Sequence, residues 1–277
     1  MTAIPALVAG VKRIVVVSPK PSREVLAAAS LLGIEEFYAL GGAHAVAALA
    51  YGTDTVLKVD KIVGPGNSYV TAAKKMVAHD CGIDMLAGPT EIGVTSDLGD
   101  AEFIASDIVA QCEHDAEAFA VFITTNKKLA KAVAKAVKQQ AKTNKTAAAA
   151  IAKNGYILIA GSPEEARALT NRLAFEHLTV DSDEDLDWVT SAGSVFIGRW
   201  AAQAFGDYVT GPNHTLPTGG LARVRGGLSV MDYLKVITVQ KYAGIGVEAL
   251  GPAAISLADC EGLKAHAEAV RLRLEHV

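Results

Sequence analysis

The chain has 277 residues, of which 51% are hydrophobic, 20% charged and 6% aromatic. That is long enough to bury a core and too apolar for a disordered chain. A net charge of -4 gives no basis for binding nucleic acid or an anionic membrane, and no apolar run approaches the ~20 residues that cross a bilayer. The expected partner is a small-molecule substrate and the expected compartment the cytoplasm.

In chain order, short β-branched runs alternate with longer stretches of helical period, the pattern of a parallel sheet covered by helices. Ile14 to Val17 predicts a strand, followed by Pro19-Lys20-Pro21-Ser22 and a helix from the N-cap Ser22 through Leu32, stopped by Gly33. Strand Glu36 to Leu40 leads through Gly41-Gly42 into a helix to about Tyr51. Strand Lys58 to Val63 leads through Gly64-Pro65-Gly66-Asn67 into a helix to about His79. A second series follows: strand Glu91 to Thr95, helix Asp100 to His114, strand Ala120 to Thr124, then one lysine- and alanine-rich helical stretch to about Lys153. Strand Tyr156 to Ile159, a helix from Pro163 to about Leu173 and strand Ser194 to Ile197 complete it. The lysines at 127, 128, 131, 135 and 138 read as a solvated helix face. Beyond Gly219-Gly220 the pattern turns helical from Ser229 to the end. The expected organisation is a Rossmann-like α/β domain over 1–88, a second α/β domain over 89–228 and a small helical segment over 229–277.

Cys81, Cys112 and Cys260 show no metal-type spacing and read as small apolar residues of a reducing compartment. Four histidine contexts carry more chemistry. In Gln111-Cys112-Glu113-His114-Asp115 the i, i+3 spacing puts Gln111 and His114 on one helix face, where both can reach a single ion; a polar helix end is the simpler reading. Phe175-Glu176-His177-Leu178, read as a loop beside a strand, joins two proton-transfer groups, although chance adjacency is common. Gly206-Asp207-Tyr208 through Gly211-Pro212-Asn213-His214 is a glycine-punctuated loop with an acid and a histidine, composition that favours binding. Glu261 to His266 lies in the last helical region and taken alone reads as helix surface. Mixed nitrogen and oxygen donors of this kind suit zinc. The Gly64-Pro65-Gly66-Asn67 turn sits where a dinucleotide loop would, but Tyr69 replaces the third glycine, so a tight turn capped by Asn67 explains it equally.

Taken in order, these segments, together with Ile83-Asp84-Met85-Leu86-Ala87-Gly88-Pro89-Thr90-Glu91 and Thr215-Leu216-Pro217-Thr218-Gly219-Gly220, resemble the histidinol dehydrogenases. The resemblance implies two Rossmann-like α/β domains, one or both incomplete at the N-terminus, plus a small C-terminal helical domain. It implies a zinc-dependent, four-electron oxidation of L-histidinol to L-histidine with two NAD, through an enzyme-held aldehyde. Carried over by position, Gln111, His114, Asp207 and His266 would hold Zn2+, and Glu176 and His177 would be the acid–base pair. Thr90, His214 and Glu261 would line the substrate site beside the metal ligands and His177, and Asn67 and His44 would lie at NAD. The family's homodimer implies that Glu261 and His266 complete the partner's site.

Three matched positions depart from the family: Thr90 stands for the usual serine, His44 for a glutamine associated with NAD, and Phe175 for a proline. In full-length members the stretch like Met1 to Val11 is internal. The expectation is a chain with uncovered sheet edges and apolar faces that is poorly stable and weakly active or inactive. Competing readings are a dehydrogenase for another small polar alcohol and an inactive zinc-binding fragment.

Overall fold

The computed structural model describes residues 1–277 and divides into two compact units, Met1–Leu234 and Lys235–Val277. The larger unit is α/β with parallel sheets throughout. It opens with α1 (Ala3–Val8), β1 (Val15–Val17), α2 (Arg23–Leu31), β2 (Glu36–Tyr38), α3 (Gly42–Tyr51), β3 (Lys61–Ile62), α4 (Ser68–Val77) and β4 (Gly82–Ile83).

The three strands expected here are shorter than their β-branched runs, and Gly82–Ile83 adds a fourth that the sequence did not suggest. They pair as two separate two-stranded sheets, β1 with β2 and β3 with β4. Arg13, ahead of β1, donates its guanidinium to the carbonyls of Leu57 and Lys58. Its main partner is Glu36, at 2.6 Å. Helices α3 and α4 cover these sheets through Val46, Leu49, Ala50, Ile62, Ala73 and Val77. Helix α2 buries none of its residues, and Leu31 is 89% exposed.

The second sheet is larger. It comprises β5 (Glu91–Thr95), β6 (Phe119–Thr124), β7 (Gly155–Ile159), β8 (His177–Val180) and β9 (Ser194–Ile197), in the order β7-β6-β5-β8-β9. Helices α5 (Ala101–Cys112), α6 (Lys127–Gln140) and α7 (Lys145–Asn154) pack one face through Ile104, Ile108, Val133, Ala136, Ala147 and Ala150. On the other face α8 (Pro163–Leu173) covers Val121, Ile123, Leu178 and Val180. The connections run outward from β5 to β7 and return to β8, so the order reverses between β5 and β8.

Two expectations are corrected here. The lysine-rich stretch is not one helix: it breaks at Ala141–Thr143, and Asn144 starts a new helix by accepting from the Ala147 N–H. Its five lysines do face solvent. Likewise Glu176-His177 is not a loop, because His177 is the first residue of β8. The signal was weak because only four residues pair, and His177 and Thr179 interrupt the apolar run on alternate positions.

After Tyr208 the chain is mostly irregular. Val230–Tyr233 makes one short 3-10 turn, and residues 235–243 are not helical, as the β-branched run Val236-Ile237-Thr238-Val239 would favour. In the smaller unit α10 (Gly244–Cys260) packs on α11 (Lys264–Leu274); the approach is close because a Cβ at Gly251 would lie 2.8 Å from Leu274. An internal proline, Pro252, removes one bond from α10. No helix is long and apolar enough to cross a membrane.

Candidate functional site

Strand alternation builds the centre of the site. Leu178 and Val180 point into the core beneath α8, so His177 and Thr179 point to the opposite face. The approach to β8 is set by Ala174, which leaves α8 with φ +55°, and by Phe175, whose ring lies over β5. A Cβ at Gly93 would be 2.1 Å from that ring, so Gly93 makes room for Phe175. The aromatic at 175 is thus a fully buried core residue.

Glu176 precedes the strand and is buried. Its Oε2 accepts from Thr90 Oγ1 at 2.6 Å and from the Glu91 N–H at 2.9 Å. Gln111, near the end of α5, donates its Nε2 to Thr90 Oγ1. Thr90, Gln111 and Glu176 therefore form a single chain of bonds, which lies at the amino-terminal ends of β5 and β8. Open α/β sheets usually bind ligands at the opposite, carboxyl-terminal ends.

His177 is 3% exposed and sits between two carboxylates, with Nδ1 3.6 Å from Glu176 and Nε2 3.7 Å from Asp207. Both separations exceed hydrogen-bond length, so they act as charge pairs, and Nδ1 has no hydrogen-bond partner. Burial works against the imidazolium, but the two carboxylates outweigh it and raise the His177 pKa to about 9. The ring stacks on Phe196 at 6.0 Å.

Asp207 lies in α9 (Ala204–Tyr208), a one-turn helix after Gln203. Burial opposes its charge, yet the neighbouring His177, His214 and His114 hold its carboxyl below the usual aspartate value. His214 is exposed, and its Nδ1 meets the Asp207 carbonyl at 2.9 Å. His114 is exposed just beyond α5. The rest of the glycine-punctuated loop latches onto β5: Gly88 N–H donates to Thr218 Oγ1 at 2.6 Å, and Gly219 N–H to Glu91 Oε1 at 2.7 Å. Burial, with Glu176 nearby, raises the Glu91 carboxyl.

Four other sequence candidates lie on other elements. Asn67 caps α4, accepting from the Tyr69 and Val70 N–H groups at 3.1 and 3.2 Å, as the capped-turn reading anticipated. The turn before it is pinned by a buried ion pair: Lys74 on α4 meets Asp84, which accepts from the Gly64 N–H at 2.8 Å. His44 is exposed on the first turn of α3. Glu261 and His266 are exposed residues of the Lys235–Val277 unit, His266 on α11 and Glu261 at the end of α10.

For a metal, Gln111, His114 and Asp207 offer an amide oxygen, an imidazole and a carboxylate, with His114 close enough to Asp207 to act on its charge, a donor chemistry that suits zinc. No three His, Cys, Asp or Glu residues are gathered closely enough to hold an ion by themselves. The residues that sequence reasoning missed are Glu91, Thr179 and Gln203. Only Gln203 carried a signal, as a polar residue one helical turn ahead of Asp207.

The profile of the histidinol dehydrogenase family matches residues 1–274. The chain is 49% identical over 285 residues to histidinol dehydrogenase of Rhizobium meliloti, covering 99% of this chain and 66% of that protein. The Bacillus cereus histidinol dehydrogenase is 46% identical, with 99% and 67% covered. Among solved structures, histidinol dehydrogenase from Elizabethkingia anophelis superposes with a TM-score of 0.94 at 38% identity, over all of this chain and 66% of that one. The chain thus spans about two thirds of the length of the relatives it matches.

Proposed function

We propose, from the premise that the chain belongs to the histidinol dehydrogenase family, that this site takes L-histidinol to L-histidine. The observation that carries the reading is the buried Glu176–His177 pair, held by Thr90, Gln111 and Asp207 at one end of the sheet. It supplies a base for an alcohol proton and a carboxylate for a water, the two proton tasks in oxidising an alcohol to a carboxylate.

His177 takes the proton from the substrate hydroxyl as the first hydride leaves. Because its neighbours hold it protonated at neutral pH, its capacity as a base grows as pH rises toward about 9. Glu176, oriented by Thr90 and the Glu91 N–H, then deprotonates the water that adds to the aldehyde, after which the second hydride leaves. Burial of both groups shields the aldehyde from solvent. NAD is the hydride acceptor, with Asn67 and His44 proposed at its site. Zinc, when bound, supplies a template for the substrate's nitrogens. Gln111, His114 and Asp207 would hold it, with Thr90 and His214 lining the substrate. We assign the fourth donor, His266, and the substrate contact Glu261 to a second copy in a homodimer, as the family resemblance implies.

Incubation of the purified, zinc-loaded chain with NAD and a panel of amino alcohols tests this. Two NADH and one histidine per L-histidinol consumed are expected, however slow the turnover. Zinc binding without NADH from any alcohol sinks the reading, and preference for another alcohol changes its substrate.

A further inference from the structure

Gln203 is 1% exposed, an unusual place for a glutamine that stands at the N-cap of α9 without capping it through its side chain. It faces in two directions. The side-chain Nε2 donates to Thr179 Oγ1 at 2.8 Å, on the same face of β8 as His177 and two residues on. The main-chain N–H is directed at the carboxylate of Asp107 on α5, one helical turn before Gln111 and two before His114. One turn after Gln203 comes Asp207.

We infer that Gln203 is a positioning residue: it ties the start of α9 to β8 and to α5, and so fixes Asp207 relative to His177, Gln111 and His114.

Four features support this beyond the bond to Thr179. A five-residue helix has too few internal bonds to hold itself, so its orientation must come from what it is tied to. Gly206 lets that helix close down, since a Cβ there would stand 2.7 Å from the Phe196 ring that stacks on His177. Gln203 Oε1 is buried without a partner, a cost a purely space-filling apolar side chain would avoid. Thr179 is also the only hydroxyl on β8, so the acceptor is specific to this strand.

The inference rests on reading Asp207 as a zinc ligand, and its test separates the two. Zinc affinity of the full chain is measured by competition with a chelator, alongside amide hydrogen exchange of Ala204–Tyr208 without metal. Thr179→Val and Gln203→Met should each weaken zinc by roughly ten- to hundred-fold, the double variant no more than either single, and Thr179→Ser should restore it. In the same variants exchange across α9 should quicken by about ten-fold or more while the unfolding midpoint moves little. If the parent chain binds zinc and both single variants bind it equally well, Gln203 is only packing and the inference is wrong. If the parent binds no zinc, the ligand reading fails instead, and the exchange result decides: unchanged exchange in both variants overturns the positioning role, and quickened exchange with Ser rescue upholds it.

Discussion

The two ends of the five-stranded sheet handle their carboxylates in opposite ways. At the carboxyl-terminal end Asp97 and Asp181 are saturated. Asp181 accepts from Ser96 Oγ and from the Asp97 and Leu98 N–H groups, while Asp97 accepts from Thr124 and Thr125 hydroxyls and the Thr125 and Asn126 N–H groups. Every oxygen there is spent on joining loops. At the amino-terminal end Glu176, Asp207 and His177 face one another at 3.6 and 3.7 Å, with the Nδ1 of His177 unbonded. Saturated carboxylates brace a fold, whereas charges held close without full bonding remain available to a substrate or ion. The end that usually binds ligands in such sheets is here the braced one.

The sharpest way to break this contrast is His177→Asn. Turnover of L-histidinol should fall by roughly 10²–10⁴-fold in a chain that keeps its α/β fold by circular dichroism. Retained turnover would remove the amino-terminal end as the reactive one.

Asp181→Ala should do the reverse, costing about 3 kcal/mol in chemical denaturation because three donors lose their acceptor, while zinc affinity holds. A stable Asp181→Ala protein would show that this end is not braced as described.

The pH dependence of stability should separate the ends as well. The folded His177 pKa, about 9, lies above the ~6.5 of an unfolded histidine. In the metal-free chain its contribution is therefore complete below that value and is lost as pH rises through about 9. Asp97 is the opposite case: burial opposes its charge, but the Thr124 and Thr125 bonds hold its pKa below that of a free aspartate. Its contribution is present above the unfolded value and disappears as pH falls through the lowered one. His177→Asn should flatten only the alkaline limb and Asp97→Asn only the acid limb of a denaturation series. Any crossover of these effects would contradict the assignment.

The smallest expected effect concerns Asp107, whose pKa burial raises to about 6. A raised carboxyl loses stability as pH climbs from the unfolded value to the folded one, so at pH 7 the charged form carries a penalty. Asp107→Asn keeps an acceptor for the Gln203 N–H and removes that charge. A gain of a few tenths of a kcal/mol at pH 7, vanishing near pH 4, is expected from paired thermal melts. A loss at pH 7 would mean the charge itself holds α9.

Much of the α/β alternation was legible because it is written locally. Ser22, Asn67, Asp100, Asn126 and Ser162 each cap a helix with their own side chains, and capping depends on residues two or three positions away. β8 was not legible: a four-residue strand with two polar members looks like a loop until its neighbours β5 and β9 pair with it. Splitting the first sheet into two was equally hidden, since which strands pair is decided between segments distant in sequence.

The same divide runs through the site. By itself the sequence determined which chemical groups are present and in what order: the amide and imidazole of Gln111 and His114, the Glu176-His177 pair, the Asp207 loop. Only the tertiary structure decided which of them meet. Parallel register sets Ile92 of β5 opposite His177 of β8, and that pairing brings Thr90 to Glu176 across 86 residues of chain. Local bonding rules reach a few residues along a chain, whereas strand register and the bonds of Gln203 act between segments whose separation no local pattern encodes.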